Sequence, residues 1–164
     1  MENFKYMKKL QDILREKKQT ITCAESCTGG LIASQITKIA GSSDIFRGSV
    51  VTYCNNIKEQ ELGVQKQTII NNGAVSCETV SEMVDGVLKK FDATYAIAVS
   101  GVAGPTGGTK DQPVGTVVIG VNSIFGDKNV EFYHFDGDRS EIQKQASDKA
   151  FEIVFKILSK NLDK

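Results

Sequence analysis

The chain has 164 residues, 40% of them apolar and 24% charged, the usage of an ordinary globular protein with interior enough for a sizeable core. Twenty basic and twenty acidic residues cancel, which excludes a general pull toward nucleic acid or an anionic membrane. No apolar run nears the ~20 residues that cross a bilayer, and the charged start MENFKYMKKLQDILREKKQ excludes a secretory signal, so a cytoplasmic location is expected.

Phe4 to Lys18 places Phe4, Met7, Leu10, Ile13 and Leu14 at helical spacing between charged residues, which predicts an amphipathic helix. Thr20 to Ala24 is short and β-branched and reads as a strand. A helix is expected from about Thr28 to Ala40, capped by Gly41. RGSVVTYC (Arg47 to Cys54) reads as a buried strand, followed by a short helix capped by Asn55 and stopped by Gly63. Thr68 to Val75 reads as irregular, with Asn71-Asn72-Gly73 as a turn. Ser76 to Thr79 opens a helix to about Lys90, and ATYAIAVS (Ala93 to Ser100) suits a central strand. Gly101 to Pro113 is a loop with four glycines and both prolines of the chain. Strands follow at Gly115–Val121 and Val130–Phe135, joined by a hairpin at Gly126-Asp127, and a long amphipathic helix runs from about Arg139 to Leu162. Alternating helices and strands with a late hairpin predict a mixed sheet with helices on both faces. With no repeat or linker, residues 1–164 read as one domain.

The four cysteines, Cys23, Cys27, Cys54 and Cys77, form no CxxC pair, and the only histidine, His134, is far from them in sequence. Neither a metal site nor a cofactor is expected from that pattern, and Cys23 and Cys27 read as small buried side chains.

Three clusters carry residue types suited to chemistry. The first is Glu25-Ser26-Cys27-Thr28-Gly29-Gly30 at a strand-to-helix junction. Ser26 or Thr28 can cap the helix, the helix start can bind an anion, or Ser26 can act as a nucleophile with nearby N–H groups holding an oxyanion. Glu25 can orient a lysine, bind a ligand cation or stabilise the helix start. The second is Tyr53-Cys54-Asn55-Asn56-Ile57-Lys58. Ends of parallel strands meet at one sheet edge, so Ser26, Tyr53 and Lys58 can share a crevice. A desolvated lysine there serves as a base and the phenol as a relay; the plain alternative is a half-buried tyrosine and a solvated lysine. The third is Ser100-Gly101-Val102-Ala103-Gly104-Pro105-Thr106-Gly107-Gly108-Thr109. It offers donors to phosphate or ribose, or is a surface loop. Asp138 reads as a cap for the last helix, and Arg139 as an anion ligand or a surface ion-pair partner.

Six stretches in order, AESCTGGLIAS, VVTYCNNIKEQELGV, NNGAVSCETVSEM, AVSGVAGPTGG, QPVGTVVIGV and FDGDRSEI, resemble the CinA C-terminal domain family, from about Leu10 to the last helix. The family includes nicotinamide mononucleotide (NMN) amidohydrolases. The resemblance implies a three-layer α/β/α fold with a mixed, mostly parallel sheet, a homodimer or higher homo-oligomer, and hydrolysis of NMN to nicotinic acid mononucleotide and ammonia without metal. It implies Ser26 as nucleophile, assisted by Tyr53 and Lys58 of the TYxNxxK pattern. Candidate substrate contacts are Glu25, Thr28, Gly29, Gly30, Asn55, Ser100, Gly101, Ala103, Gly104, Gly107, Gly108 and Arg139. The chain resembles the standalone form, without the molybdopterin-binding-like domain of longer members. Gln112 and Gln143 stand where members commonly have Lys and Arg, and Ser100 where many have Thr. A non-catalytic nucleotide-binding module, or an amidohydrolase for another carboxamide nucleotide, are the alternatives.

Overall fold

The computed structural model describes residues 2–163, with side chains from Tyr6 onward. Five strands form one mixed sheet of order β2-β1-β3-β4-β5: β1 (Ile21–Glu25), β2 (Phe46–Val51), β3 (Tyr95–Gly101), β4 (Thr116–Ser123) and β5 (Asn129–His134). β1 pairs in parallel with β2 and β3, whereas β4 runs against both β3 and β5. Four strands therefore point one way and β4 alone opposes them. The helices are α1 (Glu2–Glu16), α2 (Leu31–Thr37), α3 (Asn55–Leu62), α4 (Lys66–Asn72), α5 (Cys77–Phe91) and α6 (Arg139–Lys160). This is the expected three-layer α/β/α arrangement.

Period-two alternation builds the two faces. Along β3, Tyr95, Ile97 and Val99 join the core under α1, α2 and α6, with Leu10, Leu14, Ile32, Ile36 and Ile142. Ala96 and Ala98 face the other way, toward Val80, Met83, Val84 and Val87 of α5. Small residues on that face let α5 sit close. At Gly120 of β4 an added Cβ would lie 2.9 Å from Val80. Each buried Ile or Val contributes about 1.5–3 kcal/mol relative to exposure, so two apolar layers hold the sheet. α3 is held just as closely: a Cβ on Gly86 of α5 would meet the Leu62 carbonyl oxygen at 1.9 Å.

Several boundaries differ from the sequence reading. β2 is an edge strand and only partly buried, with Val51 47% exposed. α2 starts later than expected because Gly29 and Gly30 adopt φ of 59° and 103°, outside the helical region. It ends at Thr37 with Lys38 as its cap, and Gly41 instead precedes a 3₁₀ turn at Ser42–Asp44. Asn55 is the first residue of α3 rather than its cap, which is Cys54. Of Thr68 to Val75, expected to be irregular, the first part, to Asn72, belongs to α4; only Ile69 of the apolar pair there is buried, so no amphipathic signal marks it. The Gly63 stop, the Ser76 start and the Asp138 cap stand as expected. The Phe4 side chain lies outside the described residues. No helix is long and apolar enough to cross a membrane among the described residues.

Candidate active site

The site is assembled at the end of the sheet where β1, β2 and β3 finish side by side. Backbone bonds fix its parts: Ser26 N–H donates to the Val99 carbonyl and Thr52 N–H to the Glu25 carbonyl, both at 2.9 Å. Lys58, in the first turn of α3, sends its side chain back under this edge. Its Nζ lies 3.3 Å from Ser26 Oγ, 2.7 Å from the Thr52 carbonyl oxygen and 3.3 Å from the Tyr53 carbonyl oxygen. Lys58 is 1% exposed and Ser26 8%. Burial lowers the Lys58 pKa from its ordinary 10.5, because the charged ammonium loses hydration. No carboxylate pairs with Lys58 among the described residues. A neutral amine has two hydrogens and one lone pair. In its charged form Nζ donates to Ser26 Oγ as well as to the two carbonyls; once neutral, with its hydrogens on the carbonyls, its lone pair can accept from the Ser26 hydroxyl. A nucleophile and a base in contact, with the base oriented by further groups, is the arrangement that activates a serine.

The turn after Ser26 is open toward solvent only at its glycines, Cys27 and Thr28 being buried. A Cβ on Gly29 would touch nothing within 4 Å, and one on Gly30 only Val51 at 3.9 Å. Glu25 departs from its predicted place among the substrate contacts. It is fully buried, and its carboxylate accepts from the N–H groups of Ile32 and Ala33 at 2.8 and 3.1 Å. The helix start is thus satisfied by the protein's own anion, and Glu25 stabilises the scaffold. Neither Ser26 nor Thr28 caps α2; the residue at that position is Gly30, and no side chain bonds there. Thr28 is 3% exposed and its hydroxyl has no partner among the described residues. Burial pushes the Cys27 thiol up to about 12, so the thiol beside Ser26 is no rival nucleophile. His134 sits on β5 beside Asp136.

Tyr53 is placed differently from expectation. It lies beyond the end of β2, is 59% exposed, and its hydroxyl accepts from Arg139 Nη2 at 2.9 Å. The phenol therefore sits against Arg139 rather than between Lys58 and Ser26, which touch directly. Arg139 also donates through Nη1 to the Gly104 carbonyl at 2.8 Å, so it joins the second cluster to the third. A hollow of about 450 Å³ opens beside it, lined in part by Ala103, Pro105, Val114 and Asp138. A larger hollow of about 610 Å³ lies elsewhere, against α1 and α6 with Tyr6, Phe151 and Phe155; it contains none of the candidate residues.

The third cluster owes its glycines largely to packing. A Cβ on Gly101 would lie 2.8 Å from the Thr116 carbonyl oxygen, one on Gly104 2.4 Å from Val114 Cγ1, and one on Gly108 2.8 Å from the Val114 nitrogen. Gly107 and Gly108 are exposed. The Ser100 hydroxyl is turned away to the Ala74 carbonyl at 2.8 Å, a structural bond rather than a substrate contact. Asn55 is exposed at the start of α3. Gln112 donates to the Val75 carbonyl at 2.6 Å and Gln143 to the Cys27 carbonyl at 2.9 Å. Sequence reasoning missed the Thr52 carbonyl and the Gln143 bond. A backbone acceptor leaves no trace in residue type, whereas Gln143 was marked by its departure from the family pattern.

The family model of the CinA C-terminal domain matches residues 3–158. The chain belongs to that family. A CinA-like protein of Endomicrobium trichonymphae is 50% identical over 143 residues, 87% of this chain and 33% of that protein. A putative competence-damage inducible protein of Halothermothrix orenii is 43% identical over 146 residues, covering 89% and 35%. The chain thus spans about a third of the length of the curated relatives it matches. Among solved structures, the competence/damage inducible protein CihA of Agrobacterium tumefaciens superposes with a TM-score of 0.92 at 33% identity, covering 100% of this chain and 97% of that one. A CinA superfamily protein of Klebsiella pneumoniae gives 0.90 at 32% identity, covering 96% and 98%. These CinA relatives share the three-layer fold.

Proposed function

We propose that this CinA domain hydrolyses the carboxamide of NMN, giving nicotinic acid mononucleotide and ammonia. One observation carries the reading: a buried lysine amine without a carboxylate partner touches a buried serine hydroxyl at 3.3 Å. A module that only binds nucleotide has no use for an uncompensated buried amine, which costs stability.

In the proposed reaction Ser26 Oγ attacks the amide carbon while its proton passes to Lys58. Open N–H groups of the Ser26–Gly30 turn hold the oxyanion, each well-placed donor contributing about 3–4 kcal/mol to the transition state. Collapse breaks the C–N bond, and Lys58 returns the proton to the departing ammonia. A water, deprotonated by Lys58, then adds to the acyl-serine, releasing the carboxylate and restoring the hydroxyl. Arg139 supplies a cation for the phosphate, and the exposed Gly107 and Gly108 of the third loop offer backbone donors.

Ammonia release from NMN by the purified protein, set beside Ser26→Ala, tests the proposal. The expected result is a loss of at least ~10³-fold in the variant, as for other nucleophile deletions. Equal turnover by both proteins removes Ser26 from the chemistry. Turnover of a different carboxamide nucleotide in a substrate panel, with none of NMN, moves the assignment to that substrate.

A further inference from the structure

We propose that Gln143 is a positioning residue for the oxyanion: it holds the Cys27–Thr28 peptide so that the Thr28 N–H faces the Ser26–Lys58 side. The inference rests on the reading of Ser26 as nucleophile. Half-buried on α6, Gln143 donates from Nε2 to the Cys27 carbonyl oxygen at 2.9 Å. The Cys27–Thr28 peptide is trans, and in a planar trans peptide the carbonyl and the next N–H point in opposite directions. α6 covers one face of the sheet, where Ile142 and Ala146 join Ile32 and Ile36. Lys58 comes from α3, on the opposite face, where Leu62 packs with α5. A Cys27 carbonyl drawn toward α6 therefore turns the Thr28 N–H away from α6, toward Lys58 and Ser26.

The rest of Thr28 agrees. Its N–H donates to no protein group among the described residues, and its hydroxyl is buried without a partner. Two unsatisfied donors on one buried residue, two positions past the candidate nucleophile, mark a place prepared for an acceptor from outside the protein. Gln143 acts through the peptide, its amide nitrogen being taken up by the Cys27 carbonyl. An arginine at this position would keep a donor to the Cys27 carbonyl, and that donor is the property the test isolates.

The test uses two readouts on the full chain. The first is the rate at which a fluorophosphonate labels Ser26, followed by intact mass. The Ser26 Oγ–P bond forms as the P–F bond breaks, fluoride leaves, the proton passes to Lys58, and the phosphonyl oxygen takes the oxyanion position. The second is kcat and KM for NMN. Gln143→Met is expected to lower the labelling rate and kcat about 10²-fold, the loss of one oxyanion donor, with KM changed less than about twofold and both parameters moving as transition-state stabilisation requires. Gln143→Arg, which keeps a donor, is expected to recover most of both rates. If Gln143→Met does not fold, Gln143→Glu, equal in size but unable to donate when ionised, takes its place. Wild-type labelling rates in the donor-less variant overturn the proposal, as does a folded Gln143→Arg no faster than Gln143→Met. Labelling of the wild type without NMN turnover sinks the substrate assignment alone, and the labelling series then still decides the role of Gln143. Absence of any Ser26 labelling in the wild type sinks both.

Discussion

Replacing Lys58 by Met separates the proton-transfer role from every other role this side chain can have. Met keeps the unbranched stem and fills the same buried space while removing the amine. General acid–base groups contribute about 10²–10⁴ in rate, which at about 1.36 kcal/mol per decade is about 3–5 kcal/mol of barrier. The upper half of that range is expected here. Lys58 contacts Ser26 Oγ directly, and the only histidine stands on β5 paired with Asp136, so no second base replaces it. Ammonia release from NMN measured against concentration gives kcat and KM separately: kcat should fall about 10³–10⁴-fold and KM should stay within about threefold. The wild-type pH profile carries a second signature. Burial lowers the Lys58 pKa below 10.5, and only the neutral amine accepts the serine proton. Rate therefore falls as pH drops through that lowered pKa, and the limb is absent from the residual rate of the Met variant. Stability moves in a linked way. Between the folded pKa and 10.5 the unfolded chain binds more protons, so wild-type stability rises with pH there; below the folded pKa the penalty is complete and constant. The melting-temperature advantage of Lys58→Met over wild type should thus be greatest below the folded Lys58 pKa and shrink as pH rises from there toward 10.5. A variant whose KM rises while kcat is kept would make Lys58 a substrate ligand and refute the assignment of the base.

Two further changes probe the surroundings of this pair. Tyr53→Phe removes the acceptor of the Arg139 Nη2 bond from an exposed side chain, so KM for NMN should rise about 3–10-fold, the worth of one hydrogen bond, with kcat nearly kept; a kcat loss near 10²-fold at constant KM would return the phenol to a relay role. Gly86→Ala drives a Cβ to 1.9 Å from the Leu62 carbonyl oxygen. Separating α5 from α3 should cost about 1–3 kcal/mol and several degrees of Tm, with a lower kcat because α3 carries Lys58; unchanged thermal unfolding would mean that α3 is not held by this contact.

Which features were legible in the sequence follows from how each is encoded. The contact between Ser26 and Lys58 could be anticipated because both occupy junctions after parallel strands, and such strands end at one edge. The direction of the Tyr53 hydroxyl could not. Tyr53 lies past the last residue of β2, where period two no longer dictates which way a side chain points. Glu25 was ambiguous because its bonds reach seven and eight residues ahead, to Ile32 and Ala33, farther than the local capping patterns read in a sequence. The glycines of the third loop are a case of shared composition. Gly104 and Gly108 are needed for close packing on Val114, and the same residues would serve a phosphate, so residue type alone does not separate the two uses. The edge position of β2 was hidden by Val50-Val51, which reads as a buried run although Val51 points to solvent.

The two halves of the site are held by different means, and this bears on how substrate choice can change within such a fold. Ser26 and Thr52 are tied to neighbouring strands by backbone bonds, and the Thr52 and Tyr53 carbonyls hold Lys58. None of these bonds depends on a side chain other than the two reacting ones, so surface substitutions that leave the packing of α3 on α5 intact should leave the geometry of attack in place. In the proposed reading, recognition is left to side chains. Arg139 is exposed and braced by one carbonyl and one phenol, and Gln112 ties its loop to Val75 through a single amide. A change at Arg139 or Tyr53 alters the rim around the third loop without touching the Ser26–Lys58 contact. Variation in substrate is therefore expected to follow these side chains, while loss of chemistry is expected from changes at Ser26 and Lys58 and at what holds them, the peptide after Ser26 and the packing of α3 on α5.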